Sequence, residues 1–225
     1  MFDRLSIIFT NKQMEKIQKL NVLIIGIGGV GGYALEALVR SGVLNITIID
    51  NDVIELSNLN RQIVSLNSNL KKEKVVAAQE RMLDINPDIK INAKNIFLNK
   101  DNIDSLNMKE YDYIIDACDT ITTKVLLAKK AKEEGINIIS CMGTGNRFKP
   151  ELLEITKLSK TYNDPVAKIM RKLLKEEGIY DMIVCWSREV PIKTGQRTPG
   201  SAIFVPATAG LLISSHIILE TTKDA

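Results

Sequence analysis

Several things are scarce in this sequence, and each scarcity excludes something. Only three cysteines, Cys118, Cys141 and Cys185, stand in 225 residues. They are isolated, so there is no disulfide framework and no paired zinc-ligand spacing, and cysteine use of this kind suits a reducing compartment. Neither sign of charge dominates: 30 Lys and Arg against 27 Asp and Glu leave +3, too little to announce nucleic-acid binding by itself, so any basic surface must be local. Long uninterrupted apolar runs are missing too. The stretch from Ala202 to Leu219 is broken by Pro206, Thr208, Gly210, serines and His216, too interrupted to read as a membrane span. Met1-Phe2-Asp3-Arg4 does not open a basic segment followed by an apolar core, the mark of a signal peptide. There is no internal repeat or low-complexity tract. The lone His216, on an apolar closing segment, reads as structural. With 45% hydrophobic and 25% charged residues, disordered and fibrous classes drop out. The expectation is a soluble cytoplasmic protein that needs no membrane, folded as a single domain over 1–225.

What is present is alternation. Short apolar runs without a polar-apolar period occur at Val22–Ile25, Ile46–Ile49, Tyr113–Ile115 and Ile136–Ile139, with a weaker one at Ile89–Ile91. Such runs suit strands buried on both faces of a parallel sheet. Helical patterns lie between them at Val30–Arg40, Lys74–Asp84 and Thr122–Glu134, the second stopped by Ile85-Asn86-Pro87. Strands separated by such helices predict right-handed crossovers and an α/β, Rossmann-like, doubly wound, mostly parallel sheet. Past Gly143 the pattern changes. A loop through Pro150 precedes an amphipathic helix over Pro165–Glu177, with Val166, Ile169, Met170, Leu173 and Leu174 as its apolar stripe. Cys185 and Trp186 read as part of a strand. Ser187–Ser201 reads as a mobile loop, Ile203–Val205 as a strand, and the chain from Ala207 as a closing helix. On this reading residues 1–145 form a nucleotide-binding core and 146–225 a C-terminal, substrate-side extension.

Gly26-Ile27-Gly28-Gly29-Val30-Gly31 joins the first strand to the first crossover helix. Glycines let the backbone turn tightly and approach a phosphate, and the helix start offers free N–H groups to an anion; Gly26, Gly28, Gly29 and Gly31 are therefore binding candidates. Asp50 ends the next strand, where an acid would bind ribose hydroxyls. The loop by itself leaves dinucleotide and ATP open. The following segment, Asp52 to Gln62, places Asn58, Asn60, Arg61 and Gln62 on a loop, and Lys74 opens the next helix. An Arg holds a triphosphate in a bidentate manner, which hydride transfer does not require. Asp116 and Asp119 end the Tyr113 strand, and ligands of open α/β sheets lie outside the carboxyl ends of strands. A carboxylate there suits Mg²⁺, which takes one or two carboxylates together with phosphate oxygens. Taken singly, these residues also fit a solvated loop, a surface lysine and a helix cap.

Together, the glycine loop, Asp50, Ser57-Asn58-Leu59-Asn60-Arg61-Gln62, Lys74 and Asp116-Ala117-Cys118-Asp119-Thr120 resemble the ThiF/MoeB, ubiquitin-activating-type superfamily. With Asp84-Ile85-Asn86-Pro87, Gly143-Thr144-Gly145-Asn146-Arg147 and Lys168-Ile169-Met170-Arg171, the pattern is similar to the tRNA threonylcarbamoyladenosine dehydratase family over nearly the whole chain. The resemblance implies that a carboxylate attacks the α-phosphate of ATP. Asp50 would bind ribose, with Asp52, Asn58, Gln62 and Asp116 completing the nucleotide site. Asn60 and Arg61 would hold phosphates, Lys74 would neutralise developing charge, and Asp119 would take Mg²⁺. Arg4 would reach into the site of a partner subunit, making a homodimer. The carboxylate would belong to threonylcarbamoyladenosine-37 of a tRNA, whose own carbamoyl group closes the ring. No enzyme thiol is needed, and the three cysteines read as small buried hydrophobes. A monovalent cation (K⁺ or Na⁺) near Gly143 and a sulfur-transfer protein partner stay open; zinc is not expected.

One local feature speaks for tRNA. From Lys157 to Lys175 six basic residues face one acid, Asp164, and Lys168, Arg171, Lys172 and Lys175 share a helix face nearly opposite the apolar stripe. Charge stripes are usually solvated faces, but one bearing cations alone suits a phosphate backbone. Arg188, Lys193 and Arg197 in the loop would add to it. The rivals are an adenylyltransferase acting on the tail of a sulfur-carrier or ubiquitin-like protein, a NAD-dependent oxidoreductase, and a scaffold without catalysis.

Overall fold

The computed structural model describes residues 1–223. Seven strands form one sheet: β1 (Asn21–Ile25), β2 (Asn45–Ile49), β3 (Lys90–Lys94), β4 (Tyr113–Asp116), β5 (Asn137–Cys141), β6 (Leu153–Lys157) and β7 (Ile183–Ser187). Their spatial order is β3-β2-β1-β4-β5-β7-β6. Every pairing is parallel except that of β6 with β7. The expected Rossmann-like class therefore stands. β1 pairs with β2 on one side and β4 on the other, so the winding reverses there and opens a crevice at the carboxyl ends.

Six helices cover the sheet: α1 (Asn11–Lys19), α2 (Gly31–Arg40), α3 (Lys74–Ile85), α4 (Ile121–Glu134), α5 (Pro165–Glu176) and α6 (Phe204–Thr222). One apolar core joins β1 and β2 to α1, α2, α3 and α6 through side chains such as Ile17, Leu35, Ala78, Met82 and Ile213. On the opposite face, α4 packs with the irregular segment holding Leu98, Ile103 and Met108, and α5 packs through Ala167, Met170 and Leu174. The signals that start these helices are local. Thr10 and Gln13 form a reciprocal capping box on α1, and the Asp164 side chain accepts from Ala167 N to cap α5, with Pro165 in its first turn.

Four details differ from the sequence reading. Ile203–Val205 is not a strand; the chain enters α6 at Phe204. Its β-branched residues suggest a strand, but Val205, Ala209 and Ile213 are buried at helical spacing. Pro206 lies in the first turn, where its missing N–H has no helical partner to lose. So the apolar stretch is one 19-residue helix, long and apolar enough by composition to cross a membrane, with a mean hydropathy of 1.3. Here it lies against α2, tightly: a Cβ on Gly210 would stand 2.4 Å from Val30 O, and Ser214 Oγ donates to Ala34 O at 2.9 Å. Second, β6 is an unforeseen antiparallel edge strand, whose Glu154 and Lys157 break the apolar run that marks the central strands. Third, α1 was not anticipated; only two of its nine residues, Met14 and Ile17, are buried. Fourth, Ile169, expected in the core, is half exposed on α5.

Candidate nucleotide site

The crevice at the β1/β4 reversal holds a cavity of about 460 Å³, lined by Gly26, Gly28, Gly29, Asp50, Asp52, Asn58, Arg61, Gln62, Lys74 and Asp119 among others. That volume falls within the range of small-molecule sites. The loop takes its shape from contacts only glycine permits. Gly26 has φ +91°, and a Cβ there would meet Ala117 O at 2.7 Å, so β1 and the segment after β4 touch through backbone. Gly31 does not line the cavity: a Cβ on it would fall 1.8 Å from Gly26 O. Its part is to let α2 start against the loop.

Asp50 organises the loop from below. One carboxylate oxygen accepts from Ile27 N at 2.6 Å, the other from Asp52 N at 2.8 Å, leaving lone pairs on both for hydroxyl donors. Burial pushes its carboxyl above the ordinary range, against the lowering effects of Lys74 and the two N–H groups. Lys74 is almost fully buried, with Nζ 2.7 Å from Asp52 Oδ2, while Asp52 is itself largely exposed. This ammonium faces the cavity with a solvated partner that a phosphate oxygen can replace. Arg61 donates from Nη1 to Ser57 O at 2.8 Å and Asn60 Oδ1 at 2.9 Å; among the described residues it has no carboxylate partner, so its charge stays available beside Gly29. Asn58 and Gln62 are buried in the wall.

Three expected members of the site stand elsewhere. Asp116 faces the interior, not the crevice. It is fully buried, with Lys124 Nζ 3.1 Å from both oxygens and Ser140 Oγ donating to one of them. Lys124 also donates to Cys141 O at 2.8 Å. Burial alone would lower its pKa, and the Asp116 carboxylate more than offsets this and holds it raised. A carboxylate buried this way needs every lone pair engaged, and Lys124, Ser140 and the Cys118 N–H supply the partners. Asn60 is outside the cavity; its amide donates to Ser201 O at 2.9 Å, latching the C-terminal extension to the Arg61 loop. Arg4, exposed before a short turn at Leu5–Ile7, does not line the cavity of its own chain.

Asp119 is exposed at the rim, contacted by Thr120 Oγ1 at 3.4 Å and without a cation partner among the described residues. Those residues contain no group of three or more His, Cys, Asp or Glu able to hold a metal, so a metal here would be shared with ligand oxygens. Cys118 lines the cavity, but its thiol donates to Asp116 Oδ1 at 3.1 Å, and burial with that carboxylate pushes its pKa far up. A nucleophilic role does not suit it. Cys141 and Cys185 are buried neighbours on β5 and β7, their thiols donating to Met142 O at 3.5 Å and Ala209 O at 3.9 Å; the adjacent Cys141 thiol and burial raise the Cys185 pKa.

The sequence reading missed cavity walls that come from far along the chain. Ile96, Phe97 and Leu98 follow β3, and Thr144, Ser201 and Pro206 come from the extension. The strand-end rule that identified Asp119 would have reached the first group. Of the basic stripe, Lys168, Lys172 and Lys175 are exposed. Arg171 is tied inward, donating to Thr161 O at 2.9 Å and to Thr161 Oγ1. Arg188 lies 3.9 Å from Glu154; Lys193 and Arg197 are exposed in the loop after β7. That loop is fastened to Asn146 by three hydrogen bonds, Ile192 N donating to its carbonyl, Gly200 N to its side chain and its own N–H to Gly200 O, each at 2.7 Å.

The ThiF family model matches residues 2–218. The tRNA threonylcarbamoyladenosine dehydratase of Bacillus subtilis is 34% identical over 241 residues, covering 99% of this chain and 95% of that protein. The enzyme of the same name from Escherichia coli is 33% identical over 170 residues, 76% of this chain and 63% of its own. Among solved structures, the Escherichia coli enzyme in complex with ATP superposes with a TM-score of 0.93 at 30% identity, over 99% of this chain and 93% of that one. Its complex with AMP gives 0.92 at 29%, over 97% and 92%. Escherichia coli MccB with ATP, at 19% identity and a TM-score of 0.68 over 95% and 58%, shares the fold alone.

Proposed function

The chain belongs to the ThiF family, and we propose that it is an ATP-dependent tRNA threonylcarbamoyladenosine dehydratase. The observation that carries this reading is the pair of cations beside the glycine loop, Arg61 without a carboxylate and Lys74 with only a solvated one, in a chain similar from end to end to enzymes of that name. Hydride transfer leaves both cations idle.

ATP is the co-substrate. Its phosphates lie along Gly26–Gly29 with Arg61 and Lys74 as counter-charges, and its ribose meets Asp50. The threonylcarbamoyl carboxylate of adenosine 37 attacks the α-phosphorus and pyrophosphate leaves. The carbamoyl nitrogen then attacks the activated carbonyl carbon and AMP leaves, so one water is lost overall. The protein contributes position and fixed charge: Lys74 is held by burial, Arg61 by Ser57 and Asn60, and neither must reorganise as charge develops. Asp119 fits as the protein ligand of Mg²⁺, which when bound would neutralise phosphate oxygens.

The same reading assigns residues 1–145 to the nucleotide and 146–225 to the substrate side, with tRNA phosphates against Lys168, Lys172, Lys175, Arg188, Lys193 and Arg197. Arg171 is left out, since it is spent on Thr161. It includes a homodimer in which Arg4 acts across subunits, supported by the exposed Ile7 and Ile8 beside it, and a cytoplasmic place of action with tRNA. A K⁺ or Na⁺ ion at the Gly143 turn would have to share carbonyls that already accept from Arg147 and Ile192.

The direct test is to incubate the protein with ATP, Mg²⁺ and tRNA carrying threonylcarbamoyladenosine, then digest and weigh the nucleoside. Loss of one water with formation of AMP is expected. An unchanged nucleoside with protein that binds ATP would refute the substrate.

A further inference from the structure

The substrate side carries an aromatic side chain that the nucleotide site does not use. Tyr162, at the bend before α5, is 49% exposed, and its ring stands edge to face on the buried Trp186, centroids 4.6 Å apart and planes at 73°. The backbone on both sides of it is clamped. Arg171 donates to the carbonyl and hydroxyl of Thr161. Asp164 is paired with Arg147 at 3.1 Å, both side chains buried, and caps α5. Asn163 between them turns through a left-handed φ of 54°. A ring held this way loses little freedom when a flat partner stacks on it.

The surroundings are cationic. Lys160, Lys168, Lys172 and Lys175 are exposed and make no ion pair among the described residues, whereas Lys157 is taken by Asp181 at 2.8 Å. The bend also adjoins the nucleotide cavity: Asp164 lies 3.4 Å from where a Cβ on Gly143 would stand, and the next residue, Thr144, lines the cavity. The bend that carries Tyr162 at the start of α5 therefore packs, through Asp164, against the turn that contributes Thr144 to the cavity wall.

We propose that Tyr162 is a stacking platform for an unpaired tRNA base adjoining the modified adenosine, while the phosphates of that strand run along the α5 lysines. The inference rests on the tRNA reading above and adds the residue that fixes the loop. Proteins that recognise single-stranded RNA splay bases onto aromatic faces flanked by cations, and presenting one nucleotide to an active site leaves its neighbours unstacked.

The test uses the whole protein and an anticodon stem-loop carrying threonylcarbamoyladenosine. Tyr162→Leu, which keeps bulk but removes the π face, should bind RNA about tenfold more weakly, within the range for one stacked base. Tyr162→Phe should bind RNA like wild type and keep its melting temperature, Tyr162→Leu should melt only about 1–6 °C lower for the lost edge-to-face contact with Trp186, and both should bind ATP unchanged. An abasic site on one side of the modified adenosine should weaken wild-type binding and leave Tyr162→Leu unaffected. Wild-type affinity in Tyr162→Leu, or equal losses in the Leu and Phe variants, would overturn the proposal while leaving the dehydratase reading intact. A wild-type protein that neither binds nor dehydrates the RNA would overturn both.

Discussion

Removing the Lys124 ammonium while leaving Asp116 in place is the sharpest perturbation of this fold. Both side chains are almost completely buried, 2% and 0% exposed. In Lys124→Met, Asp116 keeps Ser140 Oγ and the Cys118 contacts but loses the only cation it meets among the described residues. Breaking a buried pair from one side costs about 3–5 kcal/mol, because an uncompensated charge is left behind. In a chain of this length about 1 kcal/mol moves the melting temperature by about 2–4 °C, so a fall of roughly 6–20 °C is expected at pH 7.5. In wild type the raised Lys124 pKa means the pair contributes fully at neutral pH and is lost only when pH rises through that raised value. The variant has no ammonium to lose, so calorimetric melts taken from pH 7.5 upward should show the gap to wild type narrowing once pH passes the ordinary lysine value of 10.5 and the wild-type Lys124 is neutralised. Asp116→Asn combined with Lys124→Met should then be less destabilised than the sum of the single variants, by about 2 kcal/mol. Additivity within about 0.5 kcal/mol, or a Lys124→Met melt within about 2 °C of wild type, would refute the reasoning.

Other expectations follow from the same geometry. Lys74→Met should leave ATP binding measurable but lower kcat by about 10²-fold, as for other fixed donors to developing charge; a loss below threefold would remove Lys74 from the chemistry. Gly210→Ala should destabilise by about 2 kcal/mol or more in urea titrations, since its Cβ would overlap Val30 O and Ala34 N; an unchanged midpoint would show that α6 and α2 can part at no cost. Cys118→Ala should retain most activity, and iodoacetamide at pH 7 should label Cys118 slowly, because its thiol stays protonated; rapid labelling together with inactivation would restore it as a nucleophile candidate.

The central strands, the crossover helices and many of the side chains that line the cavity were legible in the chain itself. The reason is locality. Gly26, Asp50, Arg61 and Lys74 lie within 50 residues, the first two at the ends of β1 and β2 and the others on the loop and helix start that follow β2, and a run such as Val22–Ile25 has one stable place, inside a parallel sheet. Where local signals conflicted, the reading failed: Ile203–Val205 has the composition of a strand, and only packing against α2 makes it the start of α6. The edge strand β6 carries charges because one side faces solvent, which hides its pattern.

What only the tertiary structure decided is which distant groups meet. The sequence determined that Asp116 ends a strand; strand order and register placed Lys124 and Ser140 beneath it and turned it from ligand to anchor. The sequence determined a basic stripe on α5; the bend at Thr161 withdrew Arg171 from it. Ser201 and Pro206 enter the cavity of a loop some 170 residues earlier because Asn60 holds one and α6 starts against Gly29 with the other. Local pattern follows from side-chain period and backbone sterics, whereas a buried charge or a shared cavity is settled by desolvation, whose cost depends on every neighbour the fold supplies.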